Sequence, residues 1–217
     1  MIIHRILAVA IMVVGAREAM SQELTPEFRR MLTAAVVPGA HVKGSTAAPL
    51  TLEEFADFQC PDSKKAWPVM KQLMAHYGEN LRFIQHHLPL PYHRNAFDAS
   101  QAAEVAHEKG KFWEMAELLY EKQDDWNKLT DKKEVLGKFT EYAESIGVDR
   151  EFFTKGMDNR DYNTRVRQSW KFGAGRGMNG TPSFAINGAG IQASEEWTLD
   201  NWRQVIDPLL AQYRRAR

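Results

Sequence analysis

The sequence of 217 residues has a single cysteine, Cys60, and this scarcity excludes an internal disulfide. It also has no excess of either charge, because Lys and Arg number 28 and Asp and Glu number 28. This balance gives no reason to expect nucleic acid or an anionic membrane surface as a partner. Beyond the N-terminal region, no apolar run is long enough to span a bilayer. What is present is a hydrophobic content of 44%, which is typical of a globular chain.

The N-terminus carries a short basic start followed by an apolar run over 6–14. That run is too short to cross a membrane, but it matches the core of a signal peptide. Val14-Gly15-Ala16 offers a small-residue cleavage pattern, so we expect a signal peptide over about residues 1–21 and an N-terminal arm over 22–44. A mitochondrial presequence is the alternative, which the evenly apolar core disfavours. The mature protein would lack a membrane segment and reside in a bacterial periplasm, or in the eukaryotic secretory pathway or outside the cell.

Cys60 stands between a predicted strand and a predicted helix. Apolar residues over 50–55 predict the strand, and apolar residues at helical spacing over 66–74 predict the helix. A cysteine at that junction lies at a helix N-terminus, where backbone N–H groups and the helix dipole stabilise a thiolate. Lys64 and Lys65 would add positive charge, and Asp62 would oppose them. An inert, buried cysteine is the alternative, because unpaired cysteine is among the most buried residue types.

Two motifs in this order resemble the DsbA-like disulfide oxidoreductases, a branch of the thioredoxin superfamily. The first is Phe-Ala-Asp-Phe-Gln-Cys-Pro-Asp-Ser at 55–63, and the second is Gly-Thr-Pro at 180–182 before an apolar strand. The resemblance extends over about 46–210. It implies an α/β, thioredoxin-like fold in a domain of 45–217, with a helical insertion at about 94–175. The helical patterns within that last range agree with such an insertion.

The resemblance also implies roles for particular residues. Glu54 stands where thioredoxin-like proteins carry an acid beneath the active site, and its pKa should be raised if it is buried there. Pro61 and Asp62 would border the substrate, as would Thr181 and Pro182. A cis peptide bond before Pro182 would present the backbone of Thr181 to an extended client chain. The alternatives are a solvent-facing carboxylate at Glu54 and an ordinary trans proline.

Ser63 restricts the chemistry, because the family carries a second cysteine at this position and a serine cannot form a disulfide with Cys60. Self-contained dithiol oxidation should therefore be lost. Disulfide exchange or isomerisation through a mixed disulfide at Cys60 remains possible, with client protein thiols and disulfides or glutathione as partners. Ser63 would still donate a hydrogen bond to the thiolate. No cofactor is implied.

Two further hypotheses remain open. The first is a non-enzymatic thioredoxin-fold binding or chaperone module, which would keep the groove around Thr181 and Pro182 without using the thiol. The second is a glutathione-dependent transferase, because kappa-class glutathione transferases also insert helices into this fold and use a serine near the same junction. The cysteine at the first motif position, Cys60, weakens this second reading.

The histidines give no clear sign of a metal. His86 and His87 lie in a predicted strand over 80–88, where adjacent side chains point to opposite faces and cannot bind one ion together. No cysteine or carboxylate lies at ligand spacing along the sequence, so we predict no metal site. His93 follows a proline-punctuated exit from the strand. We expect it to cap the next helix, with an approach to the active site as the alternative.

The C-terminal part of the predicted insertion and the strands after it contain several turn signals. A helix predicted over 159–172 ends in a glycine-rich loop over 173–177. An Asn-Gly pair at 187–188 predicts a hairpin that Ile191 and Gln192 complete. A last amphipathic helix should follow this hairpin and end the domain.

Overall fold

The computed structural model describes residues 37–191 and 198–215. The predicted signal peptide and most of the N-terminal arm lie outside the described residues and stay predictions. Gln192, expected in the hairpin, also lies outside them.

Among the described residues, five strands form one sheet in the order β1-β3-β2-β4-β5. β2 (Leu50–Ala56) and β3 (Leu81–His87) are parallel neighbours at the centre. β1 (Ala40–Lys43) pairs antiparallel with β3, and β4 (Ser183–Ile186) pairs antiparallel with β2. β5 (Ala189–Ile191) forms the other edge. Every residue of β3 is buried, because helices cover both faces of the sheet centre.

Helix α1 (Pro61–Tyr77) begins directly after Cys60, and a short 3-10 turn at Gly78–Asn80 follows it. Between β3 and β4 the chain forms α2 (Ala96–His107), α3 (Phe112–Glu121), α4 (Gln123–Trp126), α5 (Lys132–Ser145), α6 (Arg150–Met157) and α7 (Arg160–Gly175). Helix α8 (Leu199–Arg215) packs against α1. In the described part of the chain, no helix is both long and apolar enough to cross a membrane.

Helix α7 continues further than the sequence predicts. The sequence predicts that the glycine-rich loop begins at Gly173, but the helix runs through Gly175. A Cβ atom on Gly173 would meet the ring of Phe55 at 2.9 Å. The glycine is therefore required for the close approach of α7 to β2, and not for ending the helix.

The residues of β2 alternate between two different environments. Leu52 lies in the main apolar core together with Trp67 of α1. Phe55 points to the other face, where its ring lies 6.1 Å from that of Phe172 on α7. Because successive side chains of a strand point to opposite faces, Glu53 shares the α7 side and Glu54 shares the α1 side. Glu54 therefore lies on the face of the sheet that is covered by α1, the helix that begins after Cys60.

Candidate active site

Cys60 occupies the N-cap position of α1. Its backbone is extended, with φ −71° and ψ 125°, and Pro61 is the first helical residue. Proline suits that position because it lacks an N–H that would have no partner in the first turn. The N–H of Lys64 donates to the carbonyl of Cys60 at 3.1 Å and closes the turn. The predicted position of the sulfur at a helix N-terminus is therefore confirmed.

The sulfur of Cys60 meets the second sequence motif. Its Sγ donates to the carbonyl oxygen of Thr181 at 3.2 Å, and the Thr181–Pro182 peptide bond is cis. Pro61 and Asp62 are exposed, whereas Thr181 and Pro182 are half-buried. Cys60 itself is 5% exposed. The structure thus brings two segments that are 121 residues apart in sequence into contact at one sulfur.

Glu54 is a buried carboxyl group without a partner. Glu54 is 1% exposed, and neither carboxyl oxygen has a hydrogen-bond partner among the described residues. Burial raises the pKa of Glu54 to about 8, so the group is mostly protonated at pH 7. The alternative of a solvent-facing carboxylate is therefore wrong.

Tyr120 lies close to Glu54 and is also buried. The residue is 1% exposed, and the side chain of Ser63 lies beside its hydroxyl group. Burial, reinforced by the neighbouring acids Glu54 and Asp57, raises the pKa of Tyr120 well above its usual value. The region beneath Cys60 therefore combines an uncharged tyrosine with an acid that burial keeps protonated.

Ser63 is fully buried one helical turn after Cys60. The sequence predicts that its hydroxyl group donates to the sulfur. In the structure, the hydroxyl oxygen instead accepts from the backbone N–H of Asp57 at 3.5 Å. Ser63 therefore links the start of α1 to the end of the preceding strand.

Asp57 is a site residue that sequence reasoning missed, although it lies within the first motif. It is fully buried, and its carboxylate accepts from the N–H of Gln59 at 2.7 Å, the N–H of Leu90 at 2.8 Å and Nδ1 of His93 at 2.7 Å. Burial outweighs these contacts and raises the pKa of Asp57. The expected capping role of His93 is wrong, because Asn95 is the N-cap of α2 and the His93 side chain binds Asp57.

The helical insertion holds the Cys60 loop through glutamine side chains. Nε2 of Gln123 donates to the carbonyl of Phe58 at 2.8 Å and to that of Cys60 at 3.1 Å. Nε2 of Gln59 donates to the carbonyl of Asn127 at 2.7 Å. Gln123 starts the short helix α4, which the sequence did not predict because four residues are too few to show helical periodicity.

The lysines after Cys60 are paired with acids. Lys64 lies 2.8 Å from Asp124, and Lys65 lies 2.8 Å from Asp62. Asp62 therefore offsets the charge of Lys65, in agreement with the prediction, whereas the offset of Lys64 by Asp124 was not predicted.

The two adjacent histidines of β3 point to opposite faces, as predicted, but their partners were not foreseen. Nε2 of His86 lies 3.1 Å from Glu53, and Nε2 of His87 lies 2.9 Å from Glu104. Although no carboxylate lies at ligand spacing from His87 along the sequence, Glu104 reaches it from 17 residues further along the chain.

A family model described as thioredoxin matches residues 37–208. Among curated proteins, the chain is 36% identical over 153 residues to the Na(+)/H(+) antiporter NhaA 1 of Mycolicibacterium vanbaalenii, covering 68% of this chain and 23% of that protein. It is 35% identical over 149 residues to the Na(+)/H(+) antiporter NhaA 3 of Salinispora tropica, covering 68% and 22%. The chain thus spans less than a quarter of the length of these curated relatives, whose names describe the whole of those longer proteins.

Solved structures share the fold at low sequence identity. A thioredoxin-like oxidoreductase from Silicibacter pomeroyi aligns with a TM-score of 0.63 at 22% identity, covering 87% of this chain and 99% of that one. BdbD from Bacillus subtilis aligns with a TM-score of 0.69 at 21% identity, covering 80% and 94%. MdbA, a thiol-disulfide oxidoreductase from Actinomyces oris, aligns with a TM-score of 0.65 at 14% identity, covering 80% and 88%. These alignments confirm the predicted α/β, thioredoxin-like fold.

Proposed function

The chain belongs to the thioredoxin family, and on that premise we propose that it is a monothiol disulfide-exchange protein that acts through Cys60. The observation that best supports this proposal is the 3.2 Å contact between the Cys60 sulfur and the Thr181 carbonyl at the N-terminus of α1. An extended client chain that pairs with the backbone at Thr181 would bring its own sulfur to Cys60.

The reaction begins when the Cys60 thiolate attacks one sulfur of a client disulfide. The bond between the two client sulfurs breaks, a Cys60–client disulfide forms, and the second client sulfur leaves as a thiolate. Another client thiolate then attacks the mixed disulfide, forms a new client disulfide and releases the Cys60 thiolate. The cycle rearranges disulfides without net oxidation, so it needs no second cysteine at Ser63. Glutathione thiolate would release Cys60 in the same way and leave the client joined to glutathione.

The surrounding residues would divide the remaining tasks. Glu54 is mostly protonated at neutral pH and serves in this proposal as a proton reservoir beneath the sulfur. Pro61 and Asp62 would border the client chain from the helix side. Thr181 and Pro182 would border it from the strand side.

The test is refolding of a protein with scrambled disulfides in a glutathione buffer. The wild-type chain should accelerate recovery of the native disulfides, and the Cys60→Ala variant should not. The Ser63→Cys variant provides a matched gain of function, because it should acquire the dithiol oxidation that the wild type lacks. Equal isomerase activity of the wild type and Cys60→Ala would overturn the proposal.

The low exposure of Cys60, at 5%, favours a binding module as the second candidate. Under that hypothesis, the Cys60→Ala variant binds unfolded clients as well as the wild type, and neither accelerates disulfide exchange. The transferase hypothesis has less support, because Ser63 is fully buried and would have to be uncovered before it met glutathione. Conjugation of glutathione to an electrophile by the wild type, lost in Ser63→Ala, would favour it.

We further propose that the chain acts after export. The apolar run over 6–14 lies outside the described residues, so the proposal rests on its signal-like pattern. Fusing residues 1–21 to a reporter that is active only outside the cytoplasm tests it. An inactive reporter would argue against export.

A further inference from the structure

Three buried side chains from distant parts of the chain converge on one point. Nε2 of His41 lies 2.7 Å from Oε1 of Glu104, and Nε2 of His87 lies 2.9 Å from the same oxygen. The three atoms all lie within 4.8 Å of one another. The exposed fractions of His41, Glu104 and His87 are 5%, 1% and 1%. We refer to these three residues as the His41 cluster.

The fold fixes the His41 cluster from three elements. In the β1–β3 pair, Ala40 lies opposite His86 and His41 lies opposite Gln85, so His41 and His87 are diagonal neighbours on one face of the sheet. Glu104 reaches that face from α2. Ligands on regular elements are positioned more precisely than ligands on loops.

We propose that the His41 cluster binds a divalent transition metal ion and that zinc fits it best. Two imidazole nitrogens and one carboxylate oxygen form a common donor set for zinc, whose bonds to these atoms are about 2.0–2.2 Å long. Tetrahedral ligand atoms around such an ion are about 3.4 Å apart. The ring nitrogens would therefore have to move away from Oε1 by about 0.5–0.7 Å, a small change for side chains with rotatable bonds.

The surroundings of the His41 cluster leave room for this chemistry. Oε2 of Glu104 has no hydrogen-bond partner among the described residues, and Nδ1 of His87 has none either. His107 lies one helical turn after Glu104, is exposed, and has its ring centroid 4.7 Å from that of His41. His107 or a water molecule would complete the coordination from the solvent side.

One nearby charge opposes a cation. NH1 of Arg165 lies 3.7 Å from Oε2 of Glu104. The same guanidinium group is paired with Glu108 at 2.5 Å, and its side chain is 35% exposed. It can therefore turn towards Glu108 and solvent, where Glu108 offsets its charge. Without metal, the cluster is a carboxylate oxygen that accepts from two imidazole N–H groups.

Equilibrium dialysis of the untagged full chain against zinc, followed by metal analysis, tests the proposal. The wild type should bind one zinc ion per chain. Loss of one ligand should weaken binding by at least about 100-fold in Glu104→Gln and His87→Gln, since even outer-shell changes cost 10–100-fold. His86→Gln is the matched control, because His86 is adjacent in sequence but points to the other face. Cys60→Ala controls for zinc held by the thiolate.

Stoichiometric binding that the two control variants retain and the two ligand variants lose would support the proposal. No binding by the wild type, or binding lost in Cys60→Ala, would overturn it. If the ligand variants fail to fold, cobalt(II) bound to the wild type gives a second readout. Visible bands of a tetrahedral nitrogen–oxygen site, without a charge-transfer band from sulfur, are expected. A sulfur charge-transfer band or a purely octahedral spectrum would contradict the site.

Discussion

Glu53 and Glu54 are adjacent on β2 and both are buried, but the two faces of the sheet give them opposite properties. Burial alone would raise the pKa of Glu53, but the hydrogen bond from His86 and the charge of Arg176 together lower it. Glu54 has no such partner in the part of the chain that the structure describes, and burial raises its pKa to about 8. One face therefore holds a paired carboxylate at neutral pH, and the face beneath Cys60 holds a mostly protonated acid.

The comparison shows that burial does not by itself determine the charge of an acid. Oε2 of Glu53 lies 2.7 Å from Arg176 and 3.1 Å from His86, so the ionised form is stabilised despite its low exposure. On the other face, neither carboxyl oxygen of Glu54 has a hydrogen-bond partner among the described residues. A protonated acid near the sulfur avoids the repulsion that a carboxylate would exert on a thiolate.

The largest expected effect comes from Glu54→Gln as the pH rises. Unfolded Glu54 ionises near its ordinary pKa of 4.5, whereas the folded group ionises near pH 8. Between these values the unfolded state binds fewer protons, so the free energy of unfolding of the wild type falls as the pH rises. We would measure the free energy of unfolding by chemical denaturation at pH 5 and pH 8. Between these two pH values, the stability of Glu54→Gln relative to the wild type should increase by about 3 kcal/mol.

Glu53→Gln is the matched control for that measurement. The pKa of folded Glu53 is lowered, so its stabilising contribution is present above the unfolded pKa of 4.5 and is lost as the pH falls through the folded value. The variant should therefore lose stability relative to the wild type as the pH rises towards neutrality. If the stability of both glutamine variants relative to the wild type changed in the same direction as the pH rises, the contrast between the two faces would be wrong.

Arg176→Met should have the next largest effect, because it leaves Glu53 buried with His86 alone. Removal of one partner of a fully buried ion pair costs about 3–5 kcal/mol. The Arg176 side chain is 23% exposed, so we expect about 2 kcal/mol at pH 7 after solvent screening. Urea denaturation measures this, and adding Glu53→Leu should recover part of the loss. A neutral single variant would show that Arg176 does not stabilise the carboxylate.

Gln123→Leu should cost about 1–2 kcal/mol, because it leaves the buried carbonyls of Phe58 and Cys60 without this donor. It should also slow disulfide exchange, since the loop that carries the sulfur loses its support. Gln85→Leu is the control on β3. Gln85 is 1% exposed, but its Oε1 has no partner among the described residues, so its replacement should cost less. The reverse order in thermal and exchange assays would contradict the importance of these two hydrogen bonds.

The smallest effect is expected for Lys65→Gln. Its ion pair with Asp62 is exposed on both sides, at 78% and 64%, so it should contribute little to stability. The melting temperature should therefore match that of the wild type, within error, at low and at high salt. A decrease in the melting temperature that depends on salt would show that the exposed ion pair of Lys65 does contribute to stability, as the buried pair of Arg176 and Glu53 is expected to do.

Local pattern predicts most of the elements. The apolar run at 50–55 corresponds to β2, and the junction at Cys60 follows from the change between two periodicities. Asn187 and Gly188 both have positive φ and form the predicted hairpin turn. These features depend on residues close together in sequence, which is the information that periodicity and turn chemistry contain.

The partners of buried polar groups could not be predicted in this way. Gln123 lies 65 residues from Phe58, and Glu104 lies 17 residues from His87. Which face of which helix meets a strand depends on the packed fold, and no spacing rule along the chain contains it. The predicted end of α7 was wrong for a similar reason. Gly173 is required by the close approach of Phe55 on β2, and it does not end the helix.

The hydrogen bonds from Gln123 to the carbonyls of Phe58 and Cys60 also have a consequence for protein engineering. If residues 55–63 alone were transplanted onto a smaller scaffold, they would lose the hydrogen bonds that Gln123 donates to them. The Cys60 loop and helix α4 would therefore have to be transplanted together, because Gln123 joins them.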